Sequence, residues 1–379
     1  MPPRTRPALL LLALFGLAAG GGRAQDKKDD KKDDKKAAKN ADLVTPDEVS
    51  FKSSDGVKLV GKFYAAKGGA KPAVIMLHDY KADPNDVAWE DTAQLCVSKG
   101  FNVLRFAFRG HGKSTEVIPG DFWLRPENSR NIKGGTSPNV VTKTTIKFTE
   151  FSNDYYPMLV QDIAAARYYL DTLNDGGTVN TSSVYLLGAG EAVNLGFLYM
   201  ASEWSRERQK PNIPVPPQYV SLARQLFPAA EAAGPDIAGA IWVGPTPSNA
   251  MPKRLLTLWC TQPATIELRS QTRMLFVTGQ KDRQSTLFAK FLFSDALLLD
   301  RTASANGTRL VKPDFVSFLR EIKGSKATGI KLLGNNLGTE KMIGDFLTEI
   351  EKDRGTKTRK TREWDKPLWI NIHDYGVGR

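Results

Sequence analysis

The chain has 379 residues, with 53 Lys+Arg against 41 Asp+Glu, three histidines and two cysteines. At 41% hydrophobic and 25% charged it is globular in bulk, long enough for one large domain or two ordinary ones. Two cysteines exclude a disulfide-stapled scaffold, and with three histidines they cannot build a zinc-type cluster, so neither metal nor cofactor is expected.

The net charge of +12 would suit a nucleic-acid partner, but much of the excess sits at the ends. Arg4, Arg6 and Arg23 meet no acids in residues 1–24, and Arg354 to Arg379 holds seven Lys/Arg against three acids. No nucleic-acid motif accompanies them, so the charge reads as solubilising and no nucleic acid is expected as a partner.

Arg4 and Arg6 precede an apolar run from Ala8 to Gly20, and Gly22-Arg23-Ala24 follows. Residues 1–24 therefore read as an export signal cleaved before Gln25, giving a secreted or periplasmic, cell-envelope protein. The run is shorter than the roughly 20 residues that span a bilayer, so no stable membrane span is expected. Residues 25–42 alternate pairs of Asp and Lys with nothing apolar to bury, and read as a charged low-complexity linker. Cys96 and Cys260 could bridge in an oxidising compartment, but read first as two buried small hydrophobes.

Residues 43–353 alternate strand and helix patterns. Val49–Ser53 and Val57–Tyr64 form a hairpin around Ser54-Asp55-Gly56. Ala73–Leu77 is a continuous apolar run of the kind buried on both sheet faces. Trp89–Lys99 is helical, Phe101–Phe108 a strand, Tyr156–Leu173 a helix, Ser183–Leu187 a strand and Glu191–Trp204 a helix. Strands are expected at Ile237–Val243, Met274–Thr278 and Gly329–Leu333, and a last helix at Thr339–Lys352. This order predicts an α/β fold with a mostly parallel sheet covered by helices on both faces. Two insertions, about 113–154 and 205–236, interrupt the rhythm and read as cap-like loops over a crevice, or as surface decoration. Within the first, Val141–Phe151 alternates enough to suggest a strand.

Three motifs carry a resemblance. Leu77-His78-Asp79-Tyr80 follows the third strand, Arg109-Gly110-His111-Gly112-Lys113-Ser114 follows the fourth, and Gly279-Gln280-Lys281-Asp282 ends a later strand. Together with the element order they resemble the α/β-hydrolase fold over residues 47–353. The resemblance implies an oxyanion loop at Asp79 and Tyr80, and an acid of the catalytic triad at Asp282. It also implies a nucleophile on a G-x-S-x-G turn, but that turn reads Gly188-Ala189-Gly190-Glu191-Ala192. The nucleophile position is Gly190, and the Gly-rich loop Gly334–Thr339 puts Leu337 where the histidine belongs. Losing a triad nucleophile removes up to about 10⁶ in turnover, and oxyanion donors with binding alone retain roughly 10³–10⁴ over water.

Other readings compete for the same residues. Gly112-Lys113-Ser114-Thr115 lacks the glycine a phosphate loop needs five places earlier, where Ala107 stands. His78 and Glu191 could join Asp282 in a rearranged acid–base site. The simpler account is that His78 bonds loop backbone, Glu191 complements the positive end of a helix, and His111 holds its own turn. His373 could fold back toward the site. The basic tail 354–379 reads as solvated charge with aromatics packed on the domain, or as a docking segment. Three functions follow: a secreted non-catalytic protein with a small-molecule ligand in its crevice or a structural role, an ester or amide hydrolase with a rearranged site, and an envelope interaction protein. The sequence leaves the oligomeric state open.

Overall fold

Alternation starts the sheet. In β2 (Val57–Tyr64) the side chains of Val57, Leu59 and Phe63 are buried while Lys58, Val60 and Lys62 are half-buried, so one face seeks a core. β1 (Asp47–Lys52) pairs with it antiparallel across the Ser53–Gly56 turn, where the Ser53 carbonyl accepts the Gly56 amide at 3.1 Å. The computed structural model describes residues 43–137, 139–206, 233–263, 265–297, 317–362 and 366–378. The expected export signal, the charged linker and most of the second insertion lie outside them.

The remaining strands are β3 (Lys71–Leu77), β4 (Asn102–Phe106), the two-residue β5 (Glu116–Val117), β6 (Val179–Ala189), β7 (Ile237–Val243), β8 (Arg273–Gly279) and β9 (Phe318–Ile322). Their spatial order is β1-β2-β4-β3-β6-β7-β8-β9, with β5 on β2. From β4 to β9 every pairing is parallel. Parallel strands need crossovers, and helices supply them: α1 (Val87–Ser98), α2 (Val160–Asp175), α3 (Ala192–Ser205), α4 (Lys253–Thr261) and α5 (Arg283–Phe291), while α6 (Thr339–Arg354) follows the last strand.

The period-two rule sorts the core into two layers. Val74 and Met76 of β3 point to a layer with Trp89 and Cys96 of α1 and Phe346 and Ile350 of α6. Ala73, Ile75 and Leu77 point to the other, with Ile163 of α2, Leu195 of α3 and Trp259 and Cys260 of α4. The cysteines thus lie on opposite sides of the sheet, both free and buried, with thiols pushed up to about 12 by burial. No helix among the described residues is long and apolar enough to cross a membrane.

Three expectations need correction. The last strand is Phe318–Ile322, whereas Gly329–Leu332 is a 3₁₀ turn. An edge strand buries little, so its Arg320 and Glu321 hid it, and Gly329 adopts φ +50°, outside strand geometry. Val141–Phe151 is no strand either. It folds as 3₁₀ turns at Val140–Thr142 and Phe148–Glu150, with single bridges of Thr145 to Glu116 and Phe151 to Ile132. Its alternation instead anchors one side chain, Ile146, in the core.

The tail is the third, and only in part: Lys357, Arg359 and Lys360 are exposed and Trp369 and Tyr375 pack on the domain as expected, but Arg362 is buried. After α6 the chain runs back as a strap. Asn180 Nδ2 donates to the Lys357 carbonyl at 2.6 Å, Ser182 Oγ to Thr358 at 3.0 Å, and Asn174 Nδ2 to Lys360 at 2.9 Å. Arg362 is not solvated: its guanidinium sits between Asp236 at 3.0 Å and Asp171 at 3.6 Å, which Arg167 also pairs. Farther on, the fully buried Gln161 side chain of α2 bonds both the amide and the carbonyl of Ile370. Ile370, Ile372 and Val377 then enter the core.

Candidate functional site

The site is built at the end of β6. Backbone pairing carries β6 to Ala189; Gly190 then turns at φ +59° and α3 begins at Ala192. Only glycine takes that conformation freely. The Gly190 amide donates to the Val243 carbonyl at 3.1 Å, and its carbonyl accepts from the Thr246 amide at 3.1 Å, so the neighbouring strand fixes the turn.

The space over Gly190 is filled from the loop after β3. A Cβ on Gly190 would stand 1.9 Å from Asp79 Oδ2 and 2.5 Å from Asp79 Cγ. A carboxylate therefore occupies the place in which an elbow side chain would project. The amides of Lys81 and Glu191 both face this carboxylate, that of Lys81 at 3.4 Å. Burial and the nearby charge of Glu191 nevertheless hold the Asp79 carboxyl above its ordinary pKa. Over it, Lys81 Nζ pairs with Glu191 Oε1 at 2.9 Å, an exposed lysine closing on a mostly covered acid. The Glu191 carbonyl accepts from Tyr156 Oη at 2.6 Å and Asn194 Nδ2 at 2.8 Å.

His78 is committed elsewhere. Its Nε2 accepts the Phe108 amide at 3.0 Å, which leaves Nδ1 to donate to the Asp79 carbonyl at 2.8 Å. Burial, with the charge of His111 adding to it, pushes its pKa down to about 3, so the ring stays neutral. It serves as a brace between two loops, with no ring nitrogen left for proton transfer. The two ring nitrogens of His111 stand 3.0 and 2.8 Å from the carbonyls of Arg109 and Tyr80, and its one N–H donates to either, which sets its own turn beside the loop after β3. The first insertion closes on this corner: the Phe148 ring stacks on His111 at 4.4 Å, and Tyr80 meets Phe148 and Tyr156.

Asp282 follows β8 and caps α5, with Oδ1 accepting the Ser285 amide at 3.2 Å. Its Oδ2 is buried without a hydrogen-bond partner among the described residues. Leu337 lies in the loop before α6 and packs, partly buried, against the α1/α6 layer. The part of that loop which reaches the elbow is Gly329, where an added Cβ would lie 4.0 Å from the Gly190 nitrogen. His373 stands apart, with Nδ1 on the Val377 carbonyl and Nε2 4.0 Å from Glu127. No cluster of three or more His, Cys, Asp or Glu among the described residues could hold a metal ion.

Sequence reasoning missed the largest electrostatic feature beside the site. Arg109 is fully buried, bidentate to Asp55 at 2.7 and 3.0 Å and paired with Asp162 at 2.7 Å. Tyr155 and Asn128 complete the network. Although burial opposes it, the Arg109 charge with bonds from Ser53 and Asn128 holds the Asp55 carboxyl below its usual value. Gly110 lets the first insertion approach, since a Cβ there would meet the Phe148 nitrogen at 2.6 Å. Ser114 Oγ accepts the Val60 amide at 2.9 Å. The R-G-x-G-x-S motif is thus a clamp joining the hairpin, α2 and the insertion.

The antiparallel β1–β2 entry into a parallel sheet, the β4-β3 inversion, and a sharp turn after the central strand β6 define an α/β-hydrolase fold. Similar solved structures include an esterase of Pyrococcus furiosus (11% identity over 82% of this chain and 91% of that one, TM-score 0.46). Others are a dienelactone hydrolase of Anabaena variabilis (13%, 81% and 98%, 0.43) and an esterase of Rhizomucor miehei (12%, 88% and 94%, 0.45). No protein-family model matches the sequence, and no curated protein does.

Proposed function

We propose that this is an exported α/β-hydrolase-fold protein without catalysis at the usual triad, acting as a binding or structural protein. One observation carries the reading: the Asp79 carboxylate fills the elbow over Gly190, facing the amide of Glu191. In acyl transfer that amide, next after the nucleophile, would face the developing oxyanion. A built-in anion there excludes the substrate carbonyl and replaces the nucleophile with a weakly nucleophilic group. The rearranged acid–base alternative loses its base, because both His78 nitrogens are spent on backbone. The tail is less suited to docking an envelope partner than its charge suggests, since Arg362 and Ile370 are built into the domain.

Three measurements on the exported chain test this. Serine-directed phosphonates should leave it unlabelled, and activated esters should turn over no faster than on an unrelated protein surface. Turnover well above that level, abolished by Asp79→Ala, would mean that Asp79 is a reacting group and the chain a hydrolase. Intact mass of exported material should begin at Gln25.

A further inference from the structure

β4 is buried at every position, yet its fourth residue is Arg105, whose side chain is 8% exposed. A parallel strand covered on both faces takes apolar residues at such a place, so the guanidinium needs a reason. Its pairing is thin. Glu90 Oε2 makes its short bond, 2.6 Å, with Tyr64 Oη and meets Arg105 Nη1 only at 3.3 Å and Lys62 Nζ at 3.4 Å. Nε and Nη2 of Arg105 bond nothing among the described residues, and neither is sealed from solvent. Those two nitrogens form one edge of the guanidinium, the fork that grips two oxygens of a single anion.

Arg105 lines a half-open cavity of about 120 Å³ among β2, β4, the loop after β3 and the turn after β4. Every lining residue falls within 43–137, all of it described. Lys62 and Lys113 line it too, against one carboxylate, Glu48, which holds Lys113 Nζ at 2.6 Å. We propose that this cavity binds a phosphate group, with Arg105 as the fork and Lys62 and Lys113 as point charges. The volume equals the share of about four waters in the liquid, which suits one tetrahedral oxyanion. Three cations against one acid favour a dianion over a carboxylate. The open side admits free phosphate or the phosphate of a larger monoester with the same contacts. Pro84 brings in the loop that carries Asp79, but no elbow residue lines the cavity, so the site stands or falls independently of catalytic inactivity.

Calorimetric titration of the full chain tests the site, with inorganic phosphate, glycerol phosphate and acetate as probes. Phosphate should give a saturable heat that weakens with added salt, and acetate none. Arg105→Lys keeps the charge but removes the fork, and should weaken phosphate about tenfold, the loss of one charge-assisted hydrogen bond. Lys113→Ala and Glu48→Gln change exposed side chains, so folding is not at stake. The first should weaken phosphate about threefold and the second strengthen it by a similar factor, the scale of one exposed charge. A merely structural Arg105 would leave both unmoved. Saturation by inorganic phosphate alone assigns the site to the free ion, and saturation by glycerol phosphate as well assigns it to a phosphorylated molecule; either supports the proposal. It is overturned by a folded parent that gives no saturable heat with either, by acetate binding as tightly as phosphate, or by Lys113→Ala and Glu48→Gln both titrating like the parent.

Discussion

Replacing Gly190 by serine restores the atom the elbow lacks, and the structure sets its cost. An L-residue held at φ +59° pays about 1–3 kcal/mol in backbone strain. The new Cβ would also lie 1.9, 2.5 and 3.2 Å from Oδ2, Cγ and Cβ of Asp79, all atoms of one side chain. Asp79 must therefore leave, abandoning the amide of Lys81, at a further cost of about 1–3 kcal/mol typical of overpacking. Gly190→Ser alone should lose about 2–6 kcal/mol, whereas in an Asp79→Ala background only the strain remains. Urea unfolding of the four proteins of this cycle measures the coupling, expected at about 1–3 kcal/mol with the double variant more stable than the sum predicts. A serine-directed phosphonate gives the chemical readout: label can appear at residue 190 only where serine is present there and Asp79 has been removed. Additivity within about 0.5 kcal/mol would refute the reasoning, because residue 79 would then not occupy the elbow.

Asp79→Asn should be more stable than the parent at pH 7, by an amount that fades in acid. A raised folded pKa means that the native state holds its proton longer than the unfolded chain, so stability falls as pH rises through that value. Urea melts at pH 3 and pH 7 check this; an advantage that grows toward acid has the wrong sign. Arg109→Met should lose about 3–5 kcal/mol, because it strands the carboxylates of Asp55 and Asp162 inside the protein. A loss below about 1 kcal/mol, the level of a surface pair, would contradict the buried clamp. Arg362→Ala should cost somewhat less, about 2–3 kcal/mol, since Arg167 still pairs both Asp171 and Asp236. It should also raise proteolytic cleavage after residue 354, which limited digestion followed by mass spectrometry reads directly.

What could be read in the sequence was what repeats or is locally constrained. Continuous apolar runs gave β3, β6 and β7, because strands buried on both faces leave that trace. The motif Arg109–Ser114 was legible for a reason other than the one that drew attention to it. Its residues clamp the scaffold, a demand that persists whether or not anything is catalysed nearby. The absence of a nucleophile at Gly190 was equally plain. Its replacement was not, since Asp79 lies 111 residues earlier and nothing local marks a carboxylate as bound for an elbow. The edge strand β9 escaped because it is half-exposed, and the strap because charged residues such as Arg362 look solvated until distant acids are found for them.

The strap also bears on how the molecule is made. Gln161 finds its partner in Ile370, 209 residues later. At about 5–20 residues per second, a ribosome needs roughly 10–40 s to cover that distance. Throughout that interval the Gln161 amide of α2 lacks its native partner, and Asp171 and Asp236 have Arg167 but not yet Arg362. Chains still being synthesised can pair the hairpin with β4 and β3 but cannot finish the layer beneath the strap. Closure of the layer beneath the strap is thus a late event in synthesis, set by the separation of Gln161 from Ile370.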